Sequence, residues 1–496
     1  MDKFKLFISR SKSSLAFWRN ILIAIFLTLM VVLIDYYGVF ASYIPDFFLT
    51  KIDVARSILS SLGGTYLTIT TFTFSTILTV LSTYSSNYSP RVIENFLSND
   101  ITMKVLGMFV GGFFYSIVSL FFMKSTDSEA MVIASTVIVF YSVMAIGNFV
   151  LFIFSVSKSL QESELIKDVV GDSNQVITRC IKDYSGKVRL SSVNTDRYQE
   201  SLSLRFKDNG YLELISTKEL LQEFKGQDAM LMLLPIEGDF LSENEVIARY
   251  LYNGELTDEE KEEISAAINR NLHVGTEKVI ENDYRFSIEK LTEIALRAVS
   301  PGINDPNTAV DCLRYMGVLV GRLASVAESF TLLEANAEGE ACAAEDYGVD
   351  SGNFKLVYPD FQLGEDLHYF YAPIVHYGGS DLTVVLAIFA SLASARRVAA
   401  EDNRKIIDNF ASYALEHVAE NFTHPEDRIK LAFSFSPFSL ASEEGKAALG
   451  EKIWTQAQNY DRQLGYASRR QNLSEKIEGA AEADASASAE QDESEA

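Results

Sequence analysis

Cysteine, histidine and catalytic signatures are scarce in this chain of 496 residues. The three cysteines, Cys180, Cys312 and Cys342, lack C-x-x-C or any other ligand spacing, which argues against a disulfide framework or zinc site and suits a reducing compartment. The five histidines are scattered, and no H-E-x-x-H, Walker A, dinucleotide-binding or nucleophile-elbow pattern is present. We therefore predict no cofactor and no metal, and we disfavour an enzyme without excluding one.

Charge is also scarce in the first 156 residues, which carry 10 Lys or Arg and 8 Asp or Glu. The remaining residues carry 33 basic and 59 acidic side chains, so they have a formal charge of −26 against +2 for the first 156 residues. Such an acidic region repels phosphate, and we predict that nucleic acid is not a partner.

Four long, nearly uncharged stretches fill the first part of the chain, at about residues 18–37, 57–84, 105–123 and 130–156. A bilayer core needs about 20 apolar residues in a helix, and each stretch meets that length. The first run is too long for a signal peptide, and no small-residue cleavage site follows it. These features predict a polytopic membrane protein with four helical spans.

The N-terminal tail favours one orientation. It holds five basic residues, Lys3, Lys5, Arg10, Lys12 and Arg19. The positive-inside rule places such a tail in the cytoplasm, and an even number of spans returns the chain there. We therefore expect both termini to be cytoplasmic. Asp35, near the outer end of the first span, is interpreted as an interfacial residue rather than a functional acid within the membrane.

The second stretch is rich in hydroxyl groups, because residues 61–90 contain 14 Ser or Thr and no charge. On a helical wheel, its small residues share one arc about 80° wide, opposite an apolar arc. An open strand would leave unpaired edges in lipid, so the pattern predicts a membrane helix. We call the small-residue arc the hydroxyl stripe, and its central members are Ser61, Gly64, Thr68, Thr71, Ser75, Thr79 and Ser82.

Two interpretations of the hydroxyl stripe are open. In the first, which is favoured, small residues let neighbouring helices approach closely, and the hydroxyls bond back to carbonyls of the preceding turn. In the second, the stripe lines a water-filled path formed by several subunits. Hydroxyl rings suit weakly selective conduction, because they solvate ions without trapping them.

The remainder of the chain predicts an α+β region. The apolar residues of 157–183 recur at approximately helical spacing. A small β-barrel or sheet is then predicted between about 185 and 255, with strands at KVRLSSV, GYLELIS, AMLMLLP and EVIARYLY. The pair Ser216 and Glu219 predicts a capping box for one short helix. From Thr257 the pattern is mainly helical, with a possible strand at FKLVYP, and the end from Asn472 is predicted to be disordered.

These patterns divide the chain into four predicted domains. Residues 1–156 form the transmembrane domain, 157–256 a membrane-proximal helix and small β domain, 257–440 a mainly helical domain, and 441–496 a C-terminal helix with an acidic tail. The predicted fold class is an α-helical membrane protein with a cytoplasmic α+β domain.

Two clusters within the helical region are candidate sites. Asp305 and Pro306 are a good N-cap and first-turn pair, and a cradle for an anion would comprise Ser300, Gly302, Asn304, Asp305 and Thr308. A tight connection between helices is favoured, because Asp305 would itself repel an anion. The second cluster gathers Glu365, Asp366, His368, His376 and Asp381. We expect the local structure to scatter these side chains and interpret the histidines as structural.

Two motifs carry a family resemblance. Ser-Pro-Arg at 89–91 precedes Asn-Phe-Leu at 95–97, and Ser-Pro-Gly-Ile-Asn-Asp-Pro occupies 300–306. With the sequence around them, these motifs resemble DUF2254, an uncharacterised family of predicted bacterial membrane proteins, over most of residues 15–435. The resemblance implies an integral protein of the bacterial inner membrane with a large soluble region, and it implies no activity, substrate or cofactor.

The leading functional hypothesis is a homo-oligomeric ion channel or transport-related protein. Its expected partners are the lipid bilayer, further copies of the same chain and small ions. The alternative is a membrane-anchored sensor or scaffold, in which the spans anchor a cytoplasmic region that binds a ligand or a protein.

Overall fold

The computed structural model describes residues 2–37, 44–87, 100–123, 131–159, 161–185, 187–278, 283–335, 341–342, 354–438 and 441–464. The chain divides into two compact units, Met1–Val169 and Val170–Ala496. The finer division at residues 156, 256 and 440 stays a prediction. The motifs at 89–97 and the acidic tail from residue 472 lie outside the described residues.

The first unit contains four long helices and one pair of short strands. The helices are α1 (Asp2–Tyr37), α2 (Ile52–Asn87), α3 (Asp100–Phe122) and α4 (Ala134–Ser159), and the strands are β1 (Thr50–Lys51) and β2 (Met131–Val132). All four helices are long and apolar enough to cross a membrane, with candidate spans Leu15–Asp35, Ile52–Thr83, Ile101–Phe122 and Ala134–Lys158. The predicted four apolar helices are thereby confirmed.

Helix α3 packs against the other three membrane helices, and glycines permit its close approach. A Cβ added at Gly107 would lie 2.7 Å from the Phe17 carbonyl oxygen of α1. A Cβ added at Gly112 would lie 2.7 Å from the Tyr66 ring of α2. Small residues at helix contacts are how membrane helices associate without a hydrophobic driving force between them.

Asp35 holds the start of α4. Its carboxylate accepts hydrogen bonds from the backbone N–H groups of Ile133 at 2.9 Å and Ala134 at 3.1 Å. These N–H groups lack partners within the helix, and an acidic side chain there also favours the helix dipole. Asp35 therefore has a structural role at the end of its span.

The second unit is α+β and contains two sheets. Its strands are β3 (Val188–Leu190), β4 (Glu200–Arg205), β5 (Gly210–Ile215), β6 (Ala229–Leu233), β7 (Phe240–Leu241), β8 (Val246–Tyr252), β9 (Leu272–Gly275), β10 (Phe330–Ala335), β11 (Ala341–Cys342) and β12 (Lys355–Pro359). The larger sheet has the order β11-β10-β12-β6-β8-β4, with β3 also paired to β10, and the smaller has the order β7-β5-β9. Only β12 and β6 pair in parallel among these described strands.

The structure has the sheet rather than the barrel, since the described strands do not close on themselves. The predicted strands β3, β5, β6, β8 and β12 are confirmed, whereas β4, β9 and β10 were not predicted. Leu231 of β6 and Leu356 of β12 are among the residues at the centre of the core. The sheet therefore joins strands that lie more than 100 residues apart in the sequence.

The second unit also contains a series of α-helices, most of which pack against one another. They are α5 (Glu162–Ser185, which begins in the first unit), α6 (Thr217–Glu223), α7 (Asp258–Asn271), α8 (Tyr284–Ala298), α9 (Pro306–Ala324), α10 (Leu363–Gly378), α11 (Leu382–Val398), α12 (Glu401–Val418), α13 (Pro425–Phe435), α14 (Ala441–Leu449) and α15 (Glu451–Leu464). The predicted capping box at Ser216 is wrong, because Ser216 makes no side-chain cap and its Oγ lies 3.0 Å from His273 Nε2. A capping box does occur at Thr257 and Glu260, at the start of α7.

Candidate functional site

The hydroxyl stripe is exposed along its full length. Its members Ser61, Gly64, Thr68, Thr71, Ser75, Thr79 and Ser82 are all exposed. The opposite face of α2 is packed within the unit, where Leu59, Tyr66, Ile77 and Val80 are buried. A Cβ added at Gly64 would meet nothing within 4 Å. The described parts of α1, α3 and α4 therefore leave the stripe uncovered.

The threonine hydroxyls of the stripe donate to their own helix. Thr68, Thr71 and Thr79 each donate a hydrogen bond of 2.9–3.0 Å to the carbonyl oxygen four residues earlier. A hydroxyl has one proton and two lone pairs, so a hydroxyl that donates to its own helix retains acceptor capacity. The stripe consequently offers hydrogen-bond acceptors along an exposed helix face.

Bulky apolar side chains border the hydroxyl stripe on both sides. Leu67, Phe74 and Leu78 lie along one margin and Phe72 along the other, and each is at least half exposed. A neighbouring subunit can pack against the two apolar margins in this arrangement. The hydroxyl stripe between them would then remain in contact with water.

The segment from Ser300 to Thr308 forms a tight connection between α8 and α9. Asp305 is the N-cap of α9, with its Oδ1 accepting the Thr308 N–H at 3.3 Å, and Pro306 occupies the first turn as predicted. Asp305 Oδ2 also accepts the Thr308 hydroxyl at 2.6 Å, and the Ser300 hydroxyl donates to the Arg297 carbonyl oxygen at 2.6 Å.

The rest of the predicted cradle lies at the surface of the same connection. Gly302 and Asn304 are exposed, and Asn304 has a left-handed backbone with φ of 51°. The structure thus places all five residues of the cradle in one segment, with a carboxylate at the helix N-terminus. Anion binding there stays a prediction, and the carboxylate weighs against it.

The histidine cluster forms part of a groove that sequence reasoning missed. Helix α10 runs unbroken through Pro373, so Glu365, His368 and His376 share one face rather than being scattered, which corrects the expectation. We call the groove between α8, α10 and α12 the aromatic groove. It is open to solvent and has a volume of about 970 Å³. Its aromatic residues are His368, Tyr369, His376, Tyr377, Tyr413 and His417.

The two remaining acids of that cluster have structural roles outside the groove. Asp366 is buried, and its carboxylate accepts hydrogen bonds from the Tyr284 hydroxyl at 2.8 Å and from Arg285 Nε. Burial raises the pKa of Asp366 despite the neighbouring Arg285. Asp381 caps α11 by accepting two backbone N–H groups.

A smaller polar cavity of about 290 Å³ lies among α5, β5 and the end of β12. Lys187 Nζ donates to the Tyr358 hydroxyl at 3.0 Å within it. Glu237 Oε1 accepts the Ile215 N–H at 3.2 Å, and desolvation raises the pKa of Glu237 to about 7. The only signal in the sequence is a single acid after the apolar strand β6, which is too common to mark a site.

Four apolar helices of membrane-spanning length, joined to an α+β unit, define the class as an integral membrane protein. The family model for the predicted membrane protein family DUF2254 matches residues 13–394, and the chain belongs to this family. The match includes the Ser300–Pro306 motif and all four candidate spans.

The curated relatives are uncharacterized proteins of mycobacteria. The chain is 22% identical over 355 residues to a protein of Mycobacterium tuberculosis and to one of Mycobacterium bovis. Each match covers 71% of this chain and 66% of the relative, so the chain spans about two-thirds of the relatives' length. No solved structure matches the chain.

Proposed function

We propose that the chain is a subunit of a homo-oligomeric ion channel whose conduction path is lined by the hydroxyl stripe of α2. The observation that carries this proposal is the exposure of the whole stripe, opposite the face on which α2 packs against its own unit. A ring of subunits turns such stripes toward a shared axis and covers the bordering Leu67, Phe72, Phe74 and Leu78 with neighbouring chains.

The length of the stripe supports this arrangement. From Ser61 to Ser82 a helix rises by about 32 Å at about 1.5 Å per residue. The hydrocarbon core of a bilayer is about 30 Å thick. A path lined by the stripe would therefore offer small or hydroxyl-bearing side chains through the whole apolar layer.

The hydrogen bonding of the stripe favours cations over anions. The hydroxyls of Thr68, Thr71 and Thr79 donate hydrogen bonds to backbone carbonyl oxygens and retain lone pairs that can accept. Oxygen acceptors replace part of the hydration shell of a cation and give nothing to an anion. We expect conduction of small monovalent cations with weak selectivity among them.

Flux through liposomes tests the proposal. Purified full chain should release K⁺ from vesicles, and release of Cl⁻ should be at least several-fold slower. The double substitution Thr71→Leu and Ser75→Leu should reduce K⁺ release by at least tenfold, because it places two leucines in the path. The matched control, Leu67→Ile with Leu78→Ile, changes two exposed residues at the margin and should leave release within about twofold.

The oligomeric state of each variant separates conduction from assembly. Light scattering should give the same subunit number for the wild type and for the Thr71→Leu, Ser75→Leu variant. Vesicles that stay tight to K⁺ and Cl⁻ across voltages, with the wild-type oligomer intact, would refute the channel.

We further propose that the chain lies in the bacterial inner membrane with both termini in the cytoplasm. The five basic residues between Lys3 and Arg19 support this orientation. Reporter domains fused to either terminus should resist protease added to spheroplasts and be digested after lysis. Digestion of one of them in intact spheroplasts would reverse the assignment of that terminus.

A membrane-anchored sensor is the second candidate function. The aromatic groove favours it, because solvent-open grooves of this volume are typical of ligand sites. Under this alternative, a small molecule binds the purified full chain while protein-containing vesicles remain tight to ions. Vesicles that leak K⁺ without added ligand would favour the channel instead.

A further inference from the structure

Five aromatic rings follow one another along the aromatic groove. The ring centroids are separated by 4.8 Å for His368 and Tyr413, 5.3 Å for Tyr413 and His417, 6.3 Å for His417 and His376, and 5.0 Å for His376 and Tyr377. Residues four apart on a helix share one face, which explains how α12 presents Tyr413 and His417 together. The faces of tyrosine rings carry negative electrostatic potential and attract cations.

One end of the groove already holds a cation of the chain itself. Lys278 Nζ lies 5.3–5.8 Å from the ring centroids of Tyr211, Phe286 and Tyr369. It donates hydrogen bonds to Glu289 Oε2 at 3.0 Å and to the Tyr369 hydroxyl at 3.1 Å. Glu289 and Tyr369 also line the aromatic groove, so the ammonium is bound by the same walls that continue along it.

The charge of the groove excludes an anion and favours a cation. Glu293 of α8 and Glu365 of α10 line it, and apart from the Lys278 that pairs with Glu289 at one end, its described lining has no Lys or Arg. A metal ion is disfavoured, because no group of three or more His, Cys, Asp or Glu among the described residues is placed to hold one. The lining is mainly apolar, which suits an organic body carrying the positive charge.

We propose that the aromatic groove binds an organic cation, with a quaternary ammonium group or a comparable head against the neighbouring rings of His368 and Tyr413. Glu365 neutralises the charge of the ligand, and Leu296 of α8 together with Ala372 of α10 contacts its body. The site is distinct from the hydroxyl stripe and does not depend on ion conduction.

Calorimetric titration of the full chain in nanodiscs of phosphatidylglycerol tests the site. The probe is phenyltrimethylammonium, and its neutral isostere tert-butylbenzene is the comparison. We expect the cation to bind at least tenfold more tightly than the isostere, because the ring quadrupoles and Glu365 act on charge. Equal affinities, or no heat from the cation up to about 10 mM, where binding would be weaker than about −3 kcal/mol, would overturn the proposal.

Four substitutions assign the site to the groove. Tyr413→Leu and Glu365→Gln should each weaken cation binding by about fivefold or more, the range expected for one cation–π contact or one carboxylate. Tyr413 is half-buried, and Leu retains apolar bulk there, so an unfolding midpoint like that of the wild type should show that the fold is kept. Tyr315→Leu on α9 and Glu416→Gln on α12 alter exposed residues outside the groove lining and should leave the affinity unchanged. An equal loss in these controls would place the binding elsewhere and reject the groove.

The head group can belong to a free solute or to a choline lipid, and a change of disc lipid distinguishes them. Competition by phosphatidylcholine discs against phenyltrimethylammonium would identify a lipid head group as the source. Unchanged affinity in those discs would identify a free solute. Either result retains the cation site.

Discussion

Asp283 and Glu237 of the second unit have carboxyl groups whose ionised form is disfavoured by desolvation. Asp283 is 3% exposed and caps α8 through its Oδ1, which accepts the Phe286 N–H at 2.8 Å, while its Oδ2 has no hydrogen-bond partner among the residues that the structure describes. Burial raises the pKa of Asp283 to about 6, and desolvation raises that of Glu237 to about 7. Gly238, with φ of 98°, lies against Asp283 where a Cβ would collide with the carboxylate.

Replacing Glu237 with Gln should stabilise the chain at pH 8 and have no effect near pH 4. A carboxyl whose folded pKa is raised stabilises the fold fully below its ordinary value, here 4.5, and that contribution is lost as pH rises through about 7. Gln retains an acceptor for the Ile215 N–H. We expect the variant to be more stable at pH 8 by about 1–2 kcal/mol.

Thermal unfolding of the purified full chain from pH 4 to 8 measures this effect. The wild-type midpoint should fall toward pH 8 relative to that of the Glu237→Gln variant. Glu243→Gln, at an exposed acid in the neighbouring turn, should follow the wild type at every pH. A Glu237→Gln midpoint below the wild type at pH 8 would show that the carboxylate is favoured in the fold.

Close packing of α3 determines the arrangement of the membrane helices. The Tyr66 ring occupies the space over Gly112, and the Tyr66 hydroxyl lies 2.9 Å from Ser142 Oγ of α4. Three helices are therefore joined at this point by one aromatic side chain. Since α2 contacts its neighbours through this face, the same packing turns the hydroxyl stripe outward.

The substitution Gly112→Ala should destabilise the first unit. Its Cβ would lie 2.7 Å from the Tyr66 ring, and overpacking of this kind costs about 1–3 kcal/mol. Gly147→Ala on α4 is the matched control, because its Cβ meets no described residue within 4 Å. In the control, helix propensity makes Ala neutral or slightly stabilising. Thermal unfolding in detergent measures the effect. The midpoint of Gly112→Ala should lie below that of the wild type, and the midpoint of Gly147→Ala should equal or exceed it. Equal midpoints for the two variants would contradict the close packing at Gly112.

Elements with a strong local pattern could be predicted from the sequence, and elements without one could not. The apolar runs of the spans and the Asp305-Pro306 start of α9 have such patterns. Strand β4 was missed because its alternation pairs Leu202 and Leu204 with serines, which have little strand preference. The bounds of helix α10 were not predicted, because it contains Pro373 and an internal proline usually kinks or ends a helix.

The candidate sites were predictable only where one element contains them. The hydroxyl stripe lies on α2 alone, so helical spacing predicted its members. The aromatic groove needs α8, α10 and α12 side by side, and the sheet needs β6 and β12 to pair across more than 100 residues. Such juxtapositions depend on tertiary packing, for which a single sequence has no local pattern.

The molecule as a whole combines a nearly neutral first unit with an acidic second one. In the channel proposal, the first unit supplies the path, and several chains are needed to close it around an axis.

Electron cryo-microscopy of the full chain in nanodiscs tests the central claim most directly. We predict a symmetric ring of identical subunits in which Thr71 and Ser75 of every α2 face the axis. A monomer, or a ring in which Thr71 and Ser75 contact the acyl chains, would contradict it.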